Sequence, residues 1–443
     1  MVLRRMLGLG SALSALLGPR PLVPFVGHHW GDVSICGTVL RRRTSPHSSQ
    51  SFGRQKVRAI TLETVELPEE VAGSKHIYCL LYTYGFLQEA KAFVARVLVG
   101  RQPCFAEVPR PSHFATVDSG HAAVGQLLLG LDGEPMAEQE IPGIIQAYAF
   151  VGACKGVPDH PSCEALDAVT AWVEKRGKEL QRALPLTHFA LQEQWQGRLS
   201  QEPTFRASVI RDGQHDFTSK QAMVAVGSGA DRAVPWTVDL EKFDIDLVGI
   251  IHGNALTLGL SCAAAGPERT GSASPSRLPR ELRPWHLSRD ARHMRFSTAA
   301  LLLELAEISA GESLLDLCGG VGTIALEAAT RIAGMHAVSS DKANKNACDI
   351  ARENLATALR LGLLTEGSSM QVVRRHLQDW YKDAASLAAF DAVVTELPFG
   401  VRYREVNHVE LFMSLEWVLR PCGRAALIAP RAASFVQGLQ EAI

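Results

Sequence analysis

From Thr298 onward, apolar and polar residues fall into an alternating series of helix-like and strand-like blocks. Leu301, Leu302, Leu305 and Ala306 recur at helical spacing, and an apolar strand over 313–317 follows. The pattern then predicts a helix over 322–333, a strand over 335–340 running into Asp341, a helix over 343–361 and a strand over 371–376. A strand at 390–395, a helix at 407–419, a strand at 424–429 and a helix from Ala432 complete the series. Strands separated by helices need crossover connections, so the expected fold is α/β with a parallel, doubly wound sheet.

Upstream the pattern is less regular. His76 to Tyr84 reads as a strand, and Ala90, Phe93, Val94 and Val97 mark a helix after Tyr84-Gly85-Phe86. Residues 100–165 mix Pro, Gly and His and predict no element. Leu166, Val169, Trp172 and Val173 share one face of a helix expected over 164–184. A compact α+β unit follows: a strand at 205–210, a helix from Thr218 as N-cap, and strands at 236–240 and 243–251. Gly253-Asn254 signals a turn, and Leu256, Leu258, Leu260 and Cys262 alternate as the hairpin partner. Pro267 to Pro284 is a Gly/Ser/Pro/Arg-rich linker. The segments are therefore 1–70 (leader), 76–265 (α+β region), 266–295 (linker) and 296–443 (α/β domain).

A chain of 443 residues, 47% apolar and 21% charged, has room for two or three ordinary globular domains. Its formal charge of −1 gives no global field for a polyanion, so any nucleic-acid surface must be local. One candidate is the span from Arg277 to Arg295, whose six arginines oppose only Glu281 and Asp290. Arg280, Arg283 and Arg289 there read either as a solvated connector or as phosphate contacts. Nine scattered cysteines without a C-x-x-C pair argue against a zinc ribbon or a disulfide scaffold and for a reducing compartment. The histidines form no ligand spacing, so no metal site is expected, and no apolar stretch is long enough for a membrane span. Up to Leu62, Arg4, Arg5, Arg20, Arg41, Arg42, Arg43, Arg54, Lys56 and Arg58 face a single acid, Asp32, with serines between. That composition reads either as an organellar transit peptide or as a basic leader on a cytoplasmic or nuclear protein.

The chemistry concentrates at two strand ends. Asp316-Leu317-Cys318-Gly319-Gly320-Val321-Gly322-Thr323 is a glycine turn between a strand and a helix, opened by an acid. Its glycines do not match the dinucleotide fingerprint G-x-G-x-x-G, and an acid there suits a sulfonium or amino group better than a pyrophosphate. The competing reading is a tight turn that needs glycine for packing alone. Asp341, at the next strand end, could accept from ribose hydroxyls or cap a helix. Asp379 could reach an adenine edge or simply start a turn. At the second strand end stand Glu396, Leu397, Pro398 and Phe399. A carboxylate and the Leu397 carbonyl can hold an exocyclic amine with its lone pair aimed at a methyl group, while Phe399 stacks on a flipped base. Arg402 and Arg404 follow as candidate phosphate contacts.

Taken together, these segments resemble the THUMP-domain-containing RNA methyltransferases that form N2-methylguanosine, above all the eukaryotic branch acting on tRNA and U6 spliceosomal RNA. The resemblance covers roughly residues 204–430. Phe205-Arg206-Ala207-Ser208, Asp216-Phe217-Thr218-Ser219 and the strands to Cys262 are similar to the second half of a THUMP domain. Met294-Arg295-Phe296-Ser297-Thr298 is similar to the segment that touches the methyl donor. The resemblance implies a class I (Rossmann-like) methyltransferase domain preceded by a ferredoxin-like/THUMP RNA-binding region. It also implies S-adenosylmethionine as cofactor, Thr298 at the donor, Arg206 on the RNA, and a small zinc-binding activator protein as partner. The chain departs from the family in having Glu396 where Asp is usual and Leu317-Cys318 where Pro-Met is usual. Family members also carry two further strands beyond the position of Ile443, so the sheet here is expected to have an open edge.

The expected function is thus a guanine-N2 methyltransferase on tRNA or another small structured RNA. The alternatives are an amino-methyltransferase on adenine or protein, and a catalytically inactive RNA-binding protein.

Overall fold

The computed structural model describes residues 2–4, 60–108, 124–136, 141–158, 163–190, 203–212, 215–262, 283–286, 293–342, 345–397 and 408–428. In chain order the first strands are β1 (Val2–Arg4), β2 (Glu63–Thr64), β3 (His76–Thr83), β4 (Cys104–Glu107) and β5 (Val124–Leu131). They continue as β6 (Ile144–Lys155), β7 (Thr204–Asp212), β8 (Thr237–Val238), β9 (Ile245–His252) and β10 (Ala255–Ser261). The last are β11 (Ser313–Asp316), β12 (His336–Asp341), β13 (Ser369–Arg374), β14 (Phe390–Glu396) and β15 (Leu419–Ile428). The first helices are α1 (Glu69–Ala72), α2 (Leu87–Val97), α3 (Cys163–Glu174), α4 (Gly177–Ala190) and α5 (Ser219–Ala233). They are followed by α6 (Phe296–Leu305), α7 (Thr323–Ala329), α8 (Lys345–Arg360), α9 (Leu377–Trp380) and α10 (His408–Val418).

Strands β2 to β10 form one mostly antiparallel sheet ordered β4-β5-β3-β6-β10-β9-β7-β8, with β2 also on β6. Side chains alternate across β3, sending Tyr78, Leu80 and Tyr82 into one core and Ile77, Cys79 and Leu81 into a second. Both faces are therefore buried. This explains why β5 and β6, in the stretch where the sequence predicts no element, show continuous apolar runs rather than alternation. Helix α5 starts as expected: Thr218 Oγ1 accepts from Gln221 N at 3.2 Å and Gln221 Oε1 accepts from Thr218 N at 2.8 Å. The helix expected over 164–184 is instead two, α3 and α4. The second begins at Gly177, where a Cβ would stand 2.6 Å from the Ala233 carbonyl oxygen.

The second sheet is ordered β1-β15-β14-β11-β12-β13, parallel throughout except for β1. This is the doubly wound sheet expected from the alternation. Strand β15 starts at Leu419 rather than 424, because its pairing with β14 jumps from Phe390↔Leu419 to Ala392↔Arg424 through an irregularity holding Cys422 at φ 65°. Its outer edge, expected to be open, pairs with β1, which lies inside the span read as leader. The helix expected from Ala432 lies outside the described residues.

Helix α6 joins the two sheets. Leu301 is fully buried in the core of the first domain, while Ala299, Leu302 and Leu303 enter the core of the second. Burying one leucine contributes roughly 1.5–3 kcal/mol. Thr298 and Thr83 share a hydrogen bond of 2.7 Å between their hydroxyls, and Arg96 of α2 pairs with Glu304. Glu327 of α7, fully buried, accepts from Arg283 Nε at 2.7 Å and Arg331 at 3.2 Å, and Arg331 lies 5.5 Å from the Phe93 ring centre.

Candidate active site

Strand order reverses between β11 and β14, with β12 and β13 on one side and β15 on the other. Connections leave two such strands in opposite directions, which opens a crevice at their carboxyl ends. Asp316 ends β11 and Glu396 ends β14, so the two chemical segments of the sequence meet at that crevice.

The glycine turn is packed tightly onto β12. A Cβ on Gly319 would lie 2.1 Å from Ser339 Oγ, and Gly322 has φ 86°, a conformation that costs glycine little. Gly319 N donates to the Ser340 carbonyl at 2.8 Å, and Gly320 N donates to Asp341 Oδ2 at 3.1 Å. Asp341 therefore braces the turn.

Asp316 is 1% exposed. Its Oδ1 accepts from Thr395 Oγ1 at 2.7 Å and from Cys318 N at 3.2 Å, while Cys318 N also donates to Thr395 Oγ1 at 3.0 Å. Burial pushes the Asp316 carboxyl up to about 7; the two hydrogen bonds pull it down, and the nearby Asp341 and Glu396 push it further up. The half-buried Glu396 is pushed up to about 7 by burial. The Cys318 thiol is pushed up to about 12 by burial and by Asp316 and Asp341, so it is no nucleophile. Thr323 Oγ1, in the first turn of α7, is buried with no hydrogen-bond partner among the described residues. A buried hydroxyl without a partner costs free energy unless a ligand supplies one. Backbone glycines, buried acids and that hydroxyl together suit a small polar ligand carrying a positive charge.

Four candidates stand elsewhere. The Thr298 hydroxyl bonds to Thr83 at the domain junction, so it is part of the joint between the two sheets. Arg206 is only 12% exposed, pairs with Asp246 at 3.1 Å and lies 4.1 Å from the Phe243 ring centre, so its guanidinium is not open to RNA. Arg283 is held by Glu327 rather than offered to a phosphate. Asp379 is exposed, and its Oδ2 accepts from His376 N at 3.3 Å, which is the turn-starting role. Pro398, Phe399, Arg402, Arg404, Arg280 and Arg289 lie outside the described residues. Thr395 belongs to no sequence motif; its only signal is a lone hydroxyl at the end of the strand Phe390 to Thr395. Among the described residues, no group of three or more His, Cys, Asp or Glu side chains is placed to hold a metal ion.

A parallel sheet reversing at β11/β14, with a glycine turn after the first strand and an acid closing the second, defines a Rossmann-like methyltransferase fold. Residues 283–442 match the family described as UPF0020: RMKL-like, methyltransferase domain. The tRNA (guanine(6)-N(2))-methyltransferase THUMP3 of Mus musculus is 25% identical over 248 residues, taking in 53% of this chain and 45% of that protein. The tRNA (guanine(6)-N2)-methyltransferase of Thermus thermophilus is 28% identical over 247 residues, 53% of this chain and 65% of that one. The crystal structure of TrmN from Thermus thermophilus superposes with a TM-score of 0.49 at 19% identity, over 82% of this chain and 92% of that chain. The chain thus spans less than half the length of its mouse relative.

Proposed function

We propose that the protein transfers a methyl group from S-adenosylmethionine to the exocyclic N2 of a guanine in tRNA. The observation that carries this reading is the meeting of Asp316 and Glu396 at the reversal of the sheet, one beside the glycine turn and one beside the Leu397–Phe399 segment. The names of the curated relatives supply the substrate class. The residues fit the donor: Asp316 would face its positively charged end, Asp341 its ribose, and the Thr323 hydroxyl one of its polar groups. S-adenosylmethionine supplies an electrophilic methyl group.

The chain itself supplies orientation. The Glu396 carboxylate and the Leu397 carbonyl would accept hydrogen bonds from the two amine N–H groups, holding the nitrogen lone pair in line for transfer, and Phe399 would stack on the base. The proton the amine loses passes to Glu396 or to solvent as S-adenosylhomocysteine leaves. Leu397 is anchored for this by its own amide, which donates to the Ile428 carbonyl of β15 at 2.9 Å. The first sheet, with its α+β architecture, serves as the RNA-holding region, and a small zinc-binding activator protein completes the active form. The test is donor calorimetry together with mass spectrometry of nucleosides from tRNA treated with the purified protein. N2-methylguanosine is expected, and donor binding without any methylated guanine would overturn the assignment.

A further inference from the structure

The main-chain ladder between β11 and β14 consists of Leu314↔Ala392 and Leu315↔Val393. That ladder ends short of the carboxyl ends of the two strands. The Thr395 hydroxyl then links them: it donates to Asp316 Oδ1 at 2.7 Å and accepts from Cys318 N at 3.0 Å. Cys318 N also reaches Asp316 Oδ1 at 3.2 Å, so carboxylate, hydroxyl and amide close a ring of three hydrogen bonds. Thr395 is fully buried, and a β-branched side chain is stiff about its first torsion, so this bridge has little freedom. Asp316 Oδ2 faces Gly319, where an added Cβ would lie 3.3 Å away.

We propose that Thr395 is a positioning residue that locks the donor-holding end of β11 to the base-holding end of β14, so that Asp316 and Glu396 keep one fixed relation. The inference rests on the methyl-donor reading of the site. Threonine supplies two things at once. It fixes which Asp316 oxygen remains for the donor, and it favours the ionised carboxylate that a cationic ligand needs. The latter matters because the groups facing Asp316 are themselves acidic or neutral: Asp341 from β12, Glu396 from β14 and the Cys318 thiol from the turn. Thr395 precedes Glu396 directly, so a shift of one is transmitted to the other.

The test compares the full-length protein with Thr395→Val, which keeps shape and loses the hydroxyl, and Thr395→Ser, which keeps the hydroxyl. S-adenosylmethionine binding is measured by calorimetry on both sides of neutral pH, with bulk tRNA binding measured in parallel. Thr395→Val is expected to weaken S-adenosylmethionine binding roughly ten- to a hundred-fold. The pH midpoint of binding should move upward in that variant, with tRNA affinity unchanged. Thr395→Ser should stay near the wild-type values. Wild-type affinity and pH midpoint in Thr395→Val would overturn the positioning role. If the valine variant does not fold, a folded serine variant with weakened binding and a shifted midpoint would overturn it equally. Absence of binding to the wild-type protein would instead overturn the donor reading itself, and the proposal with it.

Discussion

Arg283 Nε donates to Glu327 Oε1 at 2.7 Å, tying the end of the arginine-rich linker to a fully buried carboxylate of α7. The guanidinium also lies 5.1 Å from the ring centre of Phe296. One arginine of a run that composition alone would treat as uniform is thus part of the framework of the methyltransferase domain.

Arg283→Ala should therefore destabilise the fold. Glu327 keeps Arg331, so the loss is that of one charge-assisted bond, about 1.5–3 kcal/mol. Chemical denaturation should show a lower midpoint with an unchanged slope.

The same division predicts what the linker does for RNA. Neutralising Arg280 and Arg289 together should flatten the dependence of log tRNA affinity on log salt, by about one unit of slope for each phosphate left without its cation. Arg283→Ala, measured under conditions where it is folded, should leave that slope alone. An unchanged slope in the double variant would make the linker a solvated connector.

Donor binding should be set by Asp316. Its carboxyl ionises near 7, and the ionised form attracts a cationic ligand, so affinity for S-adenosylmethionine should rise as pH rises through that value. Asp316→Ala should lower affinity roughly ten- to a hundred-fold and remove this pH dependence. Calorimetry across the range decides it.

Glu396→Ala should abolish methyl transfer while S-adenosylhomocysteine still binds. Glu396→Asp shortens the side chain by one methylene, roughly 1 Å of reach, and should lower kcat on the order of 10²-fold. Single-turnover assays with tRNA separate the two effects from product release.

Glu396 also makes a stability prediction. Its folded value of about 7 lies above the ordinary 4.5, so the folded protein holds that proton more tightly than the unfolded chain does. Stability contributed by this group is then lost as pH rises through that window. Glu396→Gln should melt at a higher temperature than the wild type above neutral pH, and the gap should narrow on acidification.

The second domain was largely legible from its alternation, because each parallel strand is a short apolar run bounded by turn signals. The boundary at β15 was not, since the irregularity around Cys422 admits a longer strand than Pro421 and Gly423 suggest. In the first domain β5 was hidden because both its faces are buried, leaving no period to read. The glycine turn and the Glu396 segment were visible as motifs. Their partners were not: whether Thr298 meets a ligand or Thr83, and whether Arg206 meets RNA or Asp246, depends on residues far away in sequence. Side-chain type names a capacity for hydrogen bonding, and the fold decides who uses it.

Leu301 sits on a helix of the methyltransferase domain, yet its side chain is packed in the core of the other sheet, where a Cβ on Gly143 would come within 2.8 Å of Leu301 Cδ2. Separating the halves would expose that leucine and leave the Thr83 and Thr298 hydroxyls without each other. Melting is thus expected to be a single cooperative event, so that damage in one half lowers the fraction of molecules in which the other half is folded.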